Sequence, residues 1–227
     1  MQPITIEALR ELVQTGREAF GVNDLIIAGG AVRDTLNMRP VKDIDMFVSL
    51  ARHTNGDPEL ASDLFAGACA RIADALGAQG TQTFRETPAE YGPLVDFCEI
   101  PRTPFGVPLQ IIMIDDDPVD DVHKYDFGLS QCFVTPNATF KTDAYLSDEL
   151  HCTITYTPSA QGLAAMLRSK ARLGRLRSKY EFYDYGVPVR RVHLDRLDRS
   201  LRMLEAPPRL GRLLLPAQRR GTQAGRP

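Results

Sequence analysis

The chain has no apolar run approaching the roughly 20 residues that a membrane-spanning helix needs, and its N-terminus shows no leader-peptide pattern. A cytoplasmic protein that does not contact membrane is expected. Cysteine is sparse: Cys69, Cys98, Cys132 and Cys152 are scattered, with no C-x-x-C pair. Only His151, beside Cys152, stands near a cysteine. That spacing favours free thiols in a reducing compartment over a disulfide framework or a zinc site. No internal repeat is visible. Net charge is also low, −2, but this near-neutrality joins two unlike parts. Residues 1–160 carry 11 Lys/Arg against 24 Asp/Glu, and residues 161–227 carry 16 against 5, so the two parts are −13 and +11. Either the basic C-terminal segment meets an acidic partner such as RNA or nucleotide phosphate, or it offsets the acidic part within the molecule. What is present is ordinary for a globular protein, with 43% hydrophobic and 25% charged residues. At 227 residues it suits one moderate domain with an appendage, or two small domains.

The informative stretch is 25–48, LIIAGGAVRDTLNMRPVKDIDMFV. Leu25 to Ala28 reads as a short buried strand. Gly29 and Gly30 follow, where a backbone turns sharply or approaches another molecule closely. Ala31 to Leu36 reads as a short helix carrying Arg33 and Asp34. A second apolar run, Ile44 to Val48, is interrupted only by Asp45, with Asp43 just ahead of it. In a strand, residues two apart share a face, so Asp43 and Asp45 project together. Two adjacent carboxylates resist burial unless compensated, and a divalent cation compensates them well. Mg²⁺ typically takes one or two carboxylates together with substrate phosphates. Free backbone N–H groups at the Gly-Gly turn supply the complementary anion site.

Gly29-Gly30-x-Val32-Arg33-Asp34 followed by Lys42-Asp43-Ile44-Asp45 resembles the signature of the polymerase-β nucleotidyltransferase superfamily. The closest subgroup is the catalytic head of CCA-adding enzymes and bacterial poly(A) polymerases. The resemblance implies that Gly29 and Gly30 hold a triphosphate, with Arg33, Asp34 and Lys42 also on the nucleotide side. It implies that Asp43 and Asp45 are catalytic and bind Mg²⁺ (or Mn²⁺), one ion activating an acceptor hydroxyl and another stabilising pyrophosphate. It also implies a third carboxylate on a later strand, and on order and pattern that position falls on Gln110. Gln is neutral and no general base. Asp96 or Glu99 on the preceding strand could substitute. Gln110-Ile111-Ile112 followed by YDFGLSQ at 125–131 is similar to small nucleotidyltransferase-like proteins of phages and fungi, which would place Gln110 in a divergent branch.

Along the rest of the chain, Thr5 caps a predicted helix to about Phe20, and Asp57-Pro58 opens another that runs to Gly77. The second is expected to bury Leu60, Leu64, Ala68, Ile72, Ala75 and Leu76. Strands are predicted over 81–85, 94–100 and 107–114, then a short helix over 119–125 and a strand over 127–134. The acidic cluster Asp115, Asp116, Asp117, Asp120 and Asp121 reads as a loop and helix cap. After a β-like stretch at 153–157, a basic helix is predicted to about Tyr180. Its apolar face holds Leu163, Met166, Leu167, Leu173 and Leu176, with Arg168, Lys170, Arg172, Arg175, Arg177 and Lys179 around it. Of these, Arg168, Lys170, Arg175 and Arg177 are the candidate RNA or phosphate contacts. Tyr180, Phe182, Tyr183 and Tyr185 are read as packing residues, and a last helix is predicted over 192–204.

The expected fold is α/β (α+β): a small mixed sheet with flanking helices over 1–158, of nucleotidyltransferase type. A basic helical appendage over 159–205 and a disordered tail over 206–227 complete it. The expected function is Mg²⁺-dependent transfer of a nucleoside monophosphate from an NTP to an acceptor hydroxyl, foremost an RNA 3′ end. The alternatives are a non-catalytic nucleotide- or RNA-binding module and a protein-modifying nucleotidyltransferase. Too little chain follows the head for the further tRNA-holding domains of CCA-adding enzymes, which argues against a stand-alone CCA enzyme.

Overall fold

The computed structural model describes residues 2–78, 83–85, 94–157 and 163–180. The first helix, α1 (Ile6–Phe20), starts where Thr5 Oγ1 accepts the Ala8 N–H at 3.1 Å and ends at Gly21, whose φ is 71°. Its Leu9, Leu12, Val13 and Gly16 are buried.

Seven strands form one mixed sheet: β1 (Leu25–Ala28), β2 (Ile44–Val48), β3 (Thr83–Arg85), β4 (Leu94–Ile100), β5 (Leu109–Ile114), β6 (Cys132–Val134) and β7 (Thr139–Lys141). Their spatial order is β3-β4-β5-β2-β1-β6-β7. Only β2 and β5 run parallel; every other neighbouring pair is antiparallel. The helices are α1, α2 (Gly30–Leu36), α3 (Pro58–Ala75), α4 (Pro118–Val122), α5 (Asp143–His151) and α6 (Leu163–Tyr180).

Strand alternation sorts the two faces. One face presents Leu25, Ile27, Ile44, Met46, Val48, Cys98, Leu109, Ile111 and Met113 to the main core, shared with residues of α1 and α3. The other carries a small apolar cluster of Ile26, Ala28, Phe133 and Val122, with Phe47 and Tyr125 packed against it. Asp45 lies between Ile44 and Met46 and therefore belongs to this second face.

Four elements depart from the sequence reading. In α3 the buried stripe is Ala61, Phe65, Ala68, Cys69, Ile72 and Ala73, while Leu60 and Leu64 are 45% and 41% exposed. Small residues let the helix approach the sheet, and Phe65 fills the centre beside Phe20, ring centroids 5.9 Å apart. The stripe is thus rotated by one residue from the leucine-rich face. Residues 127–134 are not one strand: Gly128–Ser130 forms a 3₁₀ turn, and only Cys132–Val134 pairs in the sheet. The cause is Asp148, a buried carboxylate that accepts from Leu129 N at 2.8 Å, Thr155 N at 2.9 Å and Thr153 Oγ1 at 2.9 Å. It draws the backbone out of the ladder. Finally, β7 and α5 were not predicted; Thr142 Oγ1 caps α5 by accepting from Tyr145 N at 3.2 Å.

Residues 163–180 are helical as expected, and Leu173, Leu176 and Tyr180 join the main core, whereas Leu167 is 43% exposed. Phe182, Tyr183, Tyr185, the predicted helix over 192–204 and the tail over 206–227 lie outside the described residues. All four cysteines are free thiols, and no helix among the described residues is long and apolar enough to cross a membrane.

Candidate active site

Where β1 ends, Gly29 adopts φ 72° and ψ −123°, a backbone region that side chains with a Cβ rarely enter. Its N–H donates to Cys132 O at 2.9 Å, which ties the turn to β6. A Cβ at Gly29 would come within 3.3 Å of the Tyr125 ring. At Gly30 the nearest atom to an added Cβ would be Arg33 Nη2, 3.8 Å away. The turn is thus closed on one side by an aromatic ring and open at the second glycine.

Asp45 stands on β2, the strand that pairs with β1, and Asp43 just ahead of it, beside this turn. Asp45 is half-buried, and its carboxyl is pushed up to about 7, first by burial and second by Asp43. Arg172, Lys42 and Arg33 counter this only partly. Among the described residues Asp43 pairs with Lys42, whose Nζ lies 3.1 Å away, and Lys42 is itself 84% exposed. A contact this exposed contributes little. Among the described residues, no side chain hydrogen-bonds to Asp45 and no group of three His, Cys, Asp or Glu side chains converges as a metal site. The pair does fit a divalent cation whose remaining ligands come from substrate phosphates and water. It supplies hard oxygen donors, and burial and Asp43 together outweigh the cations that favour the charge on Asp45.

The strand register decides what stands beside the pair. Asp45 is aligned with Gln110 on β5, and Gln110 with Glu99 on β4. Neighbouring strands are about 4.8 Å apart, so the three residues form a row on one face. Gln110 Nε2 donates to Glu99 Oε2 at 3.2 Å. Asp96 is held on the other face, where Ser62 of α3 donates to its Oδ2 at 2.9 Å. Of the two carboxylates that could substitute at Gln110, only Glu99 shares the face of Asp45.

Arg33 and Asp34 are both buried, with 7% and 2% of their surface exposed. Arg33 Nε donates to Asp34 Oδ1 at 2.8 Å and to Tyr180 Oη at 3.1 Å, and its Nη1 donates to Ser130 Oγ at 3.0 Å. Tyr180 Oη donates to Asp34 Oδ1 at 2.7 Å, and Lys179 Nζ pairs with Asp34 Oδ2. Burial works against the Arg33 charge, but Asp34 and Tyr180 more than offset it and hold the guanidinium above its usual value. Burial raises the Tyr180 hydroxyl. The Arg33–Asp34 pair therefore fastens α2, and with it the glycine turn, to the end of α6. The expected RNA contacts lie on the same helix. Arg175 and Arg177 are exposed, as is Lys170, while Arg168 is half-buried.

Sequence reasoning missed the loop that completes the site. Tyr125 packs against Gly29 and against Phe47, ring centroids 6.2 Å apart, and its hydroxyl is buried without a hydrogen-bond partner among the described residues. Burial, followed by Asp121 and Asp45, raises the phenol well above its usual value. Gln131 fixes the loop by donating from Nε2 to Tyr125 O at 3.0 Å and accepting at Oε1 from Thr142 Oγ1 at 3.0 Å. Arg172 of α6 pairs with the adjacent Asp126 at 2.7 Å. The signal for these residues was the segment YDFGLSQ itself, where Asp126, Ser130 and Gln131 interrupt apolar positions.

Comparison with solved structures matches the fold of this chain to that of several enzymes. A Thermotoga maritima CCA-adding enzyme complexed with tRNA aligns at 15% identity and a TM-score of 0.55, covering 86% of this chain and 41% of that one. A CCA-adding enzyme complexed with CTP gives 15% identity and a TM-score of 0.55, covering 86% and 42%. A tRNA-processing enzyme in an apo form gives 18% identity and a TM-score of 0.51, covering 88% and 48%. This is the polymerase-β-type nucleotidyltransferase fold. The chain spans less than half the length of each of those structures. No protein-family model and no curated protein matches its sequence.

Proposed function

We propose that the protein is a nucleotidyltransferase that moves a nucleoside monophosphate from an NTP to an acceptor hydroxyl in a Mg²⁺- or Mn²⁺-dependent reaction, with an RNA 3′ end as the acceptor class. The observation that carries this reading is the adjacency of two features on paired strands. One is a Gly29-Gly30 turn with backbone fixed by Cys132 and Tyr125; the other is the Asp43–Asp45 pair, with a carboxyl only partly compensated by nearby cations. With the Gly29 N–H engaged by Cys132 O, the main-chain N–H groups from Gly30 onward would bind the triphosphate, and Asp43 and Asp45 would hold the cation beside them. When bound there, the cation supplies charge neutralisation at the phosphates and Lewis-acid activation. Arg33 and Asp34 act from beneath by fixing α2, and Lys42 offers a mobile positive charge at the mouth.

RNA as acceptor is supported by the +11 charge of residues 161–227 and by the exposed Arg175 and Arg177 on α6. It is supported further by the similar structures, one of which is a complex with tRNA. The test is incubation with each α-labelled NTP and total cell RNA at neutral pH with Mg²⁺. Label transferred to RNA, abolished by EDTA, is the expected result. Label on protein alone would reassign the acceptor to a protein hydroxyl. Nucleotide binding without any transfer would favour the non-catalytic module.

A further inference from the structure

The row Asp45–Gln110–Glu99 has an order that bears on how a site lacking a third carboxylate can work. An ionised Glu99 can only accept hydrogen bonds, so the amide of Gln110 must present its NH₂ to β4. That is the contact observed, Nε2 to Oε2 at 3.2 Å. A planar amide that turns its nitrogen toward β4 turns its carbonyl oxygen away from it. The neighbour of β5 on the other side is β2, where Asp45 stands at the same register. Replacing Glu99 by a neutral amide would remove this sorting, because Gln110 could then face it with either end. Both residues are half-buried, on the sheet face that carries the candidate site.

We infer that Gln110 is a neutral oxygen ligand of the divalent-cation site at Asp43 and Asp45, and that Glu99 is the positioning residue that aims its carbonyl there. The inference rests on the metal reading given above. It also assigns Glu99 a role different from that of a substitute carboxylate: it orients a ligand without contacting the cation. A neutral third ligand leaves the site with two negative charges from the protein, so its affinity depends more on the orientation of the amide than a three-carboxylate site would.

The test is Mn²⁺ binding to the full chain, followed by the loss of the free-ion electron paramagnetic resonance signal, with thermal unfolding of each variant recorded in EDTA. Groups that orient a metal ligand typically change affinity by about 10- to 100-fold. Gln110→Ala and Glu99→Gln should therefore each weaken Mn²⁺ binding by about 10-fold, and the Glu99→Gln, Gln110→Ala pair should be no weaker than Gln110→Ala alone. The exchanged pair Glu99→Gln with Gln110→Glu retains a hydrogen bond between the two strands with its direction reversed. It should bind Mn²⁺ more tightly than wild type, since a charged oxygen then faces Asp45. Unchanged Mn²⁺ affinity in Gln110→Ala and in the exchanged pair, with only stability altered, would overturn the inference and leave the Asp43–Asp45 site standing. Absence of Mn²⁺ binding by the wild type would overturn both.

Discussion

Asp45 combines a carboxyl pushed up to about 7 with a position on the open face of the sheet, so its titration can be read in stability. In the unfolded chain an Asp loses its proton near pH ~3.9, whereas the folded protein retains it to about 7. The stabilisation from this group is complete below about pH 4 and is lost as pH rises toward 7. Urea unfolding in EDTA should show that decline in the wild type, and Asp45→Asn should flatten it and raise stability at pH 8 by about 1 kcal/mol. Superimposable pH profiles would contradict the placement of Asp45. The two glycines should separate in the same kind of measurement. Gly29→Ala forces a Cβ into a positive-φ conformation and against Tyr125, which should cost about 1–3 kcal/mol. Gly30→Val meets only an ordinary contact with the end of the Arg33 side chain, so it should cost little stability while removing triphosphate binding. If Gly30→Val bound NTP normally, the turn would be structural only.

Among the elements, α6 is bound to the rest of the molecule by charge as well as by Leu173 and Leu176. Removing Asp34 would leave Arg33 buried beside Lys179 without a carboxylate. Asp34→Ala should then cost about 3–5 kcal/mol, against about 1 kcal/mol for Tyr180→Phe, which loses one hydroxyl. Equal, small losses in urea unfolding would show that α6 is not fastened through this pair. The elements also show what could be read from sequence. The strands around 25–48, and the placing of Gly29, Gly30, Asp43 and Asp45 next to one another, were legible because alternation, a Gly-Gly turn and two Asp at spacing two are local patterns. Helix caps at Thr5 and Asp57 were legible for the same reason. The 3₁₀ turn at Gly128–Ser130 was not, because it is set by Asp148, 19 residues away from its partner Leu129. The stripe on α3 was misplaced because Phe65 and the small Ala and Cys residues, not the leucines, fit the sheet. The union of Arg33 with Tyr180 joins residues 147 apart, and no local pattern contains it.

The molecule as a whole divides its charge between an acidic head and a basic C-terminal segment, and salt dependence distinguishes the two uses of that division. If residues of α6 contact RNA, affinity should fall steeply as salt rises. Replacing Arg168, Lys170, Arg175 and Arg177 by Gln should then weaken binding and flatten the log–log salt slope by roughly 0.7 per lost single-strand contact. If the basic segment instead neutralises the head, RNA retention should be weak even at low salt, and the substitutions should lower thermal stability. The claim on which the rest depends is that the Gly29-Gly30 turn and the Asp43–Asp45 pair form one metal–triphosphate site. Equilibrium binding of labelled ATP to the wild type and to the Asp43→Asn, Asp45→Asn double variant, each with Mg²⁺ and with EDTA, tests it most directly. Binding by the wild type only when Mg²⁺ is present, and none by the folded double variant, is the predicted result. Equal Mg²⁺-ATP affinity in the two proteins would contradict it.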